Sequence, residues 1–362
     1  PAAAEADTGR IFAPGRILSP TSSAGHDVRT AAEAGVEAAV CGIGTNVAVR
    51  GRGVLSGAPW PWTKGPRFPH KVNKSGCMLN LQGRDLTVRD VTLHSSWCWT
   101  LVLNAATNAL IDGVNVVGGR VINDDGIDVC RAKDVEIRNS FVRCQDDCIT
   151  PKWHCENLVA TNCVLWTDVA NAIRIGYECS RPPLTYKNLL FKDLDVLHLT
   201  LEPSKPEDYW ANCAICIQPV NEQTLEDFPF EDVRFHSVNP WDVFLLVKTM
   251  PTTTFNAFPD PGYAKNMTFR NVSIPYARGG MCAAFFAHDD RHFIDGVTFD
   301  NVRGCGPIRK KGAVRNVPSP SAPRFVNVLP SFAEAPDFAL SEIRRQRRDD
   351  GILLHRRIRQ PR

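Results

Sequence analysis

The chain has 362 residues, of which 43% are hydrophobic, so it can bury a large core as one long domain or two ordinary ones. The formal net charge is +3 and the excess of Arg lies in residues 341–362, so the body offers no nucleic-acid surface. No run is apolar over the length needed to cross a membrane. Frequent Gly and Pro (25 and 26 residues) with only 4 Met favour short strands and turns over a helical bundle.

Short apolar runs recur along the chain in pairs, and each pair predicts two short strands. In chain order, the first runs are MLNL (78–81), TLVL (100–103), GIDV (126–129), CITP (148–151), AIRI (172–175), AICI (214–217), FLLV (244–247) and AAFF (283–286). Each second run reads apolar-x-apolar-polar-[Asp/Asn/Gly]-x-x-apolar or close to it. The bracketed position is filled in turn by Asp90, Gly113, Asn139, Asn162, Asp193, Asp232, Asn271 and Asn301.

This repeat predicts an all-β fold, a right-handed parallel β-helix of eight or more coils. Helical repeats would need a sustained period of 3.6 residues, and a propeller would need about four strands per blade over ~40 residues. We divide the chain into an N-terminal segment and cap (1–40), the β-helix (41–305) and a Pro/Arg-rich tail (306–362). Cys213 and Cys216 fall in one apolar run, which favours buried small side chains over a metal or redox site.

Two acid pairs stand one repeat apart, in NDDGIDVC (123–130) and QDDCITPK (145–152). Because one turn of a β-helix rises about one strand spacing (~4.8 Å), residues one repeat apart become neighbours. Asp124 should therefore lie beside Asp146, and Asp125 beside Asp147. Like charges on adjacent strands repel and raise one another's pKa, so a structural patch would not usually gather them. Acids in different protonation states are what hydrolysis of a glycosidic bond uses.

These two segments resemble the Asn-x-Asp-Gly and Gln/Gly-Asp-Asp-Cys motifs of glycoside hydrolase family 28. That family contains the polygalacturonases and their relatives, which are right-handed β-helix inverting hydrolases, and the resemblance spans about residues 40–305. It implies that Asp146 is the general acid, while Asp125 and Asp147 hold and activate the water. Asn123 would support the first motif, and Lys152 takes the place of a Lys that many bacterial relatives have.

The chain departs from the family at two places. Asn171 replaces the His of the usual Gly-His-Gly stretch. The strand where polygalacturonases show Arg-Ile-Lys reads AICIQ here (214–218), which has no cation, although charge-assisted bonds to a uronate need Arg or Lys. Arg174 on the neighbouring strand could supply one cation. We therefore expect a substrate other than unsubstituted polygalacturonate.

Further substrate-binding candidates lie on the same predicted face or at its ends, where aromatic rings can pack against the apolar faces of sugars. The full set of predicted substrate-binding residues is Asn123, Asp124, Asp128, Lys152, Asn171, Arg174, Glu178, Trp99 and Trp153.

The sequence thus predicts an inverting glycoside hydrolase that cleaves a plant or microbial polysaccharide or oligosaccharide, with no required cofactor or metal. We expect a monomer that is secreted or periplasmic and has no nucleic-acid or membrane partner. Two alternatives stay open. A β-helix polysaccharide lyase could bind Ca²⁺ through the clustered acids and use Arg174 or Lys152 as its base. A non-catalytic glycan-binding or tailspike-like β-helix would share the fold without the chemistry.

Overall fold

The computed structural model describes residues 16–18, 37–57, 76–96, 98–118, 123–168, 170–177, 185–199, 213–236, 243–249, 261–274, 283–304, 314–315 and 324–326, and the regular elements in these ranges are all strands. In chain order they are β1 (Arg16–Leu18), β2 (Glu37–Thr45), β3 (Ala48–Arg50), β4 (Val54–Ser56), β5 (Gly76–Arg89), β6 (Thr92–His94), β7 (Leu101–Asp112), β8 (Asn115–Val117), β9 (Ile127–Arg138), β10 (Phe141–Cys144), β11 (Ile149–Thr167), β12 (Ile173–Gly176), β13 (Thr185–Leu199), β14 (Cys213–Gln218), β15 (Thr224–Phe235), β16 (Val243–Thr249), β17 (Tyr263–Arg270), β18 (Ala283–Ala287), β19 (Ile294–Asp300), β20 (Val314–Arg315) and β21 (Arg324–Val326).

The strands form a right-handed parallel β-helix, so the predicted fold class is confirmed. β9 is paired in parallel with β7 on one side and with β11 on the other, each one coil away in sequence. β10 is paired in the same way with β8 and β11. We call the sheet that the first segment of each coil forms the first sheet; it runs through β5, β7, β9, β11, β12, β14, β16 and β18.

The bracketed Asp, Asn and Gly positions of the repeat lie at corners of the coils and share one backbone conformation. All are left-handed, which Gly, Asn and Asp tolerate better than other residues. Their φ angles are 58° at Asp90, 65° at Gly113, 51° at Asn139, 49° at Asn162, 51° at Asp193, 56° at Asp232, 54° at Asn271 and 53° at Asn301. Side chains at these positions also bond from coil to coil: Asn162 Nδ2 donates to Asn139 Oδ1 at 2.8 Å.

The core is a column of apolar side chains inside the coils. Leu101, Ile127, Ile149 and Ile173 follow one another at one level of the first sheet, and all are fully buried. In the later coils Phe rings stack in the same manner: Phe191 on Phe230 (4.9 Å between centroids), Phe230 on Phe269 (4.8 Å) and Phe269 on Phe299 (5.2 Å). Each ring covers the apolar face of the next, which adds to the stabilisation from burial.

Parallel pairing continues past the predicted end of the β-helix at residue 305. β20 pairs with β18, and β21 pairs with β19. At the other end, β1 pairs with β2 in the antiparallel sense. Most of the predicted N-terminal segment and tail lies outside the described residues. In the described part of the chain, no helix has the length and apolarity to span a bilayer.

Candidate active site

Both acid motifs lie at corners that lead into the first sheet. Asp124 and Asp125 precede β9, while Asp146 and Asp147 lie in the bend between β10 and β11. Gly126 N donates to Asp147 O at 2.8 Å, so the two corners are in register. The expected stacking of the two motifs is therefore present in the backbone. The bend also supplies the interruption that lets two consecutive acids depart from strict strand alternation.

Asp146 is half-buried at this bend. Thr167 Oγ1 donates to its backbone carbonyl at 2.7 Å, and Asn123 Nδ2 donates to its carboxylate at 3.3 Å. Burial, followed by the charges of Asp125 and Asp147, raises the pKa of the Asp146 carboxyl well above its ordinary range, and two nearby cations oppose the shift only in part. A carboxyl whose pKa is raised in this way suits a general acid, which has to hold a proton for the leaving group.

Asp147 is buried and lies against positively polarised groups. Asn171 N donates to its Oδ1 at 2.9 Å, and Arg174 Nε lies 3.8 Å from its Oδ2. Burial raises the pKa of Asp147 to about 6; the cation of Arg174 opposes the rise and the charge of Asp125 adds to it. At neutral pH this carboxylate is mostly ionised and can orient a water molecule.

Lys152 is buried between two of the acids. Its Nζ lies 2.9 Å from Asp125 Oδ2 and 2.9 Å from Asp128 Oδ1. The ring of Trp99 lies over the same ammonium group, 3.7 Å from Nζ to the ring centroid. Lys152 is 2% exposed. Lys152 neutralises part of the negative charge of these two acids. The other oxygen of Asp125, Oδ1, has no hydrogen-bond partner among the described residues.

Asp124 fixes the bend that carries the other acids. Its side chain is fully buried, and its Oδ1 accepts from Gln145 N at 2.6 Å and from Asp146 N at 3.4 Å. A Cβ atom at Gly118 would lie 2.7 Å from Asp124 Oδ2, so a larger residue at position 118 would disturb the carboxylate.

Asp124 and Asp128 were predicted to contact substrate, but their positions do not allow it. The side chains of Asp124 and Asp128 are both fully buried, because one is bonded to backbone N–H groups and the other is paired with Lys152. The burial extends to the outward side of the first sheet, where Val102 is 2% and Thr150 0% exposed. We therefore assign both acids a positioning role, together with Lys152.

Asn171 and Arg174 form a second buried group beside Asp147. Arg174 Nη1 donates to Asn171 Oδ1 at 2.9 Å, and Asn171 Nδ2 donates to Cys213 O at 2.5 Å. The guanidinium also lies over the ring of Tyr177, 3.9 Å from its centroid. Asn171 thus bonds Asp147 through its backbone N–H and Arg174 through its side chain, at the position where the resemblance implied a His.

Two predicted aromatic residues pack together at the edge of the first sheet. The rings of Trp99 and Trp153 lie 6.3 Å apart at 55°, and the Arg131 guanidinium lies 4.4 Å from the Trp153 ring centroid. Glu178, also predicted to contact substrate, lies outside the described residues. Sequence reasoning missed Thr167, whose hydroxyl holds the bend; the only signal was its place one repeat after Gln145, whose carbonyl it also contacts at 3.1 Å.

One protein-family pattern matches the part of the chain that carries the acids. The pattern of the family described as "Glycosyl hydrolases family 28" matches residues 25–200. The resemblance to family 28 is confirmed over this range. The matched residues include both acid motifs and β12, and they end before β14. The match supports a glycoside hydrolase.

Two solved structures are similar to this chain. The first is a hyperthermoactive exopolygalacturonase from Thermotoga maritima, with 13% identity, a TM-score of 0.48, and coverage of 77% of this chain and 72% of that one. The second is the family 28 exopolygalacturonase of Yersinia enterocolitica, with 13% identity, a TM-score of 0.34, and coverage of 69% of this chain and 46% of that one. None of the curated proteins compared with this chain matches it.

Proposed function

We propose that this protein is an inverting glycoside hydrolase in which Asp146 protonates the leaving oxygen while Asp125 and Asp147 hold the attacking water. The observation that carries the proposal is that three neighbouring acids, Asp125, Asp146 and Asp147, have different surroundings. Asp146 has a pKa raised by burial and two neighbouring charges, whereas Asp125 lies 2.9 Å from the ammonium group of Lys152. Direct displacement needs one carboxylic acid that keeps its proton and a carboxylate that does not.

The substrate we propose is a polysaccharide or oligosaccharide other than unsubstituted polygalacturonate. Arg174, the cation that the sequence offered for binding a uronate, is 5% exposed. Its guanidinium bonds Asn171, covers Tyr177 and lies near Asp147, so protein groups already engage it. A polymer of this kind is met outside the cytoplasm, and we propose a secreted or periplasmic monomer.

The lyase alternative has less support from the site. A Ca²⁺ ion takes six to eight oxygen ligands that converge on one point. Here the ammonium group of Lys152 already lies between Asp125 and Asp128, and the Asp124 carboxylate bonds backbone N–H groups. A lyase would release an unsaturated, ultraviolet-absorbing product and would lose activity with a chelator. Either result would favour it over hydrolysis.

The acids are tested by substitution and product analysis on a substrate found by digesting a glycan panel. Asp146→Asn should lower kcat at least ~10²-fold, because general acid catalysis contributes that much. Asp125→Asn and Asp147→Asn should also lower it, whereas Asp134→Asn, an exposed corner acid, should not. Proton NMR of the first product should show the inverted anomer. Wild-type rates in all three site variants would refute the assignment, and a retained anomer would refute inversion.

Substrate selectivity is tested by comparing rates on the same panel. Unsubstituted polygalacturonate should be cleaved more slowly than at least one neutral or substituted glycan, because the cations described beside the acids, Lys152 and Arg174, are buried. If polygalacturonate is cleaved fastest, the substrate proposal is wrong while the assignment of the acids still stands. Binding of glycans without turnover of any would instead identify a glycan-binding module.

A further inference from the structure

The loop between β18 and β19 brings together two imidazoles and one carboxylate. His288, Asp289 and His292 each offer one ligand atom, and these atoms all lie within 4.8 Å of one another. His292 Nδ1 is 2.8 Å from Asp289 Oδ1, and His288 Nε2 is 3.9 Å from Asp289 Oδ2. The two His rings are 5.7 Å apart between centroids. The three residues come from one turn of five residues, so their spacing does not depend on distant parts of the chain.

The turn is held in place from several sides. Asp289 Oδ1 accepts from Arg291 N and His292 N, both at 2.9 Å. Thr249 Oγ1, at the end of β16, donates to His292 O at 2.7 Å. The next residue, Phe293, stacks on Tyr263 with 4.9 Å between ring centroids. A ligand that bound here would therefore not have to order the loop first, which lowers the entropic cost of binding.

The types of ligand atom, and the exposure of these side chains to solvent, indicate which class of metal ion would bind. Two imidazoles with one carboxylate suit Zn²⁺ and its first-row neighbours, whereas Ca²⁺ and Mg²⁺ prefer sets made of oxygen. Zinc–nitrogen and zinc–oxygen bonds of about 2.0–2.2 Å place two ligand atoms on one ion roughly 3.3 Å apart, which small side-chain movements would reach here. The His288 side chain is 40% exposed and that of Asp289 42%, so an ion can enter from solvent.

We propose that His288, Asp289 and His292 bind one divalent transition-metal ion of the Zn²⁺ class, with water in the remaining positions. β18 follows β11 in the first sheet after β12, β14 and β16, so four strand steps of ~4.8 Å separate the two by ~19 Å along the axis. The ion would thus lie away from the acid corner, the site formed by Asp124, Asp125, Asp146 and Asp147. It would link the turn of one coil to the end of β16 through His292 and would stabilise the later coils.

A plainer explanation is that Asp289 only closes the turn and pairs with His292. That role needs no second imidazole, so His288 separates the two explanations. Untagged protein, with its accessible thiols alkylated, is titrated with Zn²⁺ by calorimetry and with Co²⁺ by visible absorption. We expect one tight equivalent. His288→Ala should weaken it at least ~10-fold, since even residues behind the ligands typically cost 10–100-fold in metal affinity.

His236→Ala is the matched control. His236 is also an exposed imidazole on a carboxylate, 2.6 Å from Asp195, but among the described residues it belongs to no group of three ligand atoms like that of His288. This variant should bind Zn²⁺ and Co²⁺ like the wild type. Equal binding by the wild type, His288→Ala and His292→Ala, or no binding by the wild type at millimolar Zn²⁺, would overturn the proposal.

A second measurement guards against loss of folding. Asp289→Asn keeps an oxygen that can close the turn but removes the anionic ligand. With Zn²⁺ present, Tm should rise in the wild type and should rise less in Asp289→Asn and His288→Ala. Glycan cleavage should be the same with and without a chelator in all of them. A Tm rise in His288→Ala equal to that of the wild type would assign the ion to another part of the chain.

Discussion

Two sets of polar side chains stack from coil to coil. The corner ladder consists of the left-handed repeat positions such as Asn139 and Asn162, and the acid corner consists of Asp124, Asp125, Asp146 and Asp147. The two sets differ in the partners that their side chains have. In the ladder, Asn139 accepts from Asn162 and donates to Asp112 Oδ1 at 2.7 Å, so it has hydrogen-bond partners on both neighbouring coils. In the acid corner, Asp146 and Asp147 lie next to Asp125, and burial raises the pKa of both. The ladder gives each polar group a partner, whereas the acid corner leaves several acids competing for protons.

This contrast separates the polar repeats that stabilise the fold from the acids to which we assign catalysis. The ladder residues share φ near 50° and hydrogen bonds of similar length, as expected where one structural demand recurs in each coil. The acid corner occurs in two adjacent coils only, among the described residues, and it requires a buried Lys152 to hold part of its charge. Substitutions that treat the two regions alike should therefore have different effects.

Lys152→Met should cause the largest change. It keeps the aliphatic stem under Trp99 but leaves Asp125 and Asp128 as buried acids without their cation. Removing one partner of a buried ion pair typically costs about 3–5 kcal/mol of folding free energy. Urea unfolding should show this loss. Asp128→Asn added to Lys152→Met should recover part of it, because the second change removes one of the stranded charges. A loss under ~1 kcal/mol would mean that the pair is not buried as the structure has it.

Asn139→Ala, in the ladder, should have a smaller effect and leave activity unchanged. The residue has a φ of 51°, and alanine in this region costs about 1–2 kcal/mol, to which the lost hydrogen bonds add some tenths. Asn139→Gly is the control, since glycine removes the same bonds without the backbone cost and should be less destabilised. Equal losses would show that backbone conformation is not what selects Asn here. A fall in kcat would show that the ladder influences the site.

Much of this fold could be predicted from the sequence, because a ladder residue such as Asn162 recurs once per coil with apolar residues around it. The acid corner was predicted from two motifs and the stacking rule. Which acids are buried was not predictable, since alternation fails at the bend and Asp128 points away from the core yet is 0% exposed. Nor was the cluster around His288 apparent, because a short turn has no periodicity that would indicate which side chains meet.

The smallest predicted effect is a gain in stability from Asp146→Asn. The folded state raises the pKa of Asp146, so between its ordinary pKa and the raised one the folded protein binds more protons than the unfolded chain. The free energy of unfolding therefore falls as pH rises through that window, and the full penalty is present above it. Asparagine has no such penalty. We expect Asp146→Asn to be modestly more stable than the wild type at pH 8, because solvent screens the half-buried side chain in part, and this advantage should shrink towards pH 4. Urea midpoints at both pH values measure it. Asp134→Asn, at an exposed corner of the same coil, shows how far removal of any acid shifts the midpoints. If Asp146→Asn is the less stable protein at pH 8, then the wild-type Asp146 carboxylate has stabilising partners, as a ladder side chain has. The contrast between the two regions would then not hold.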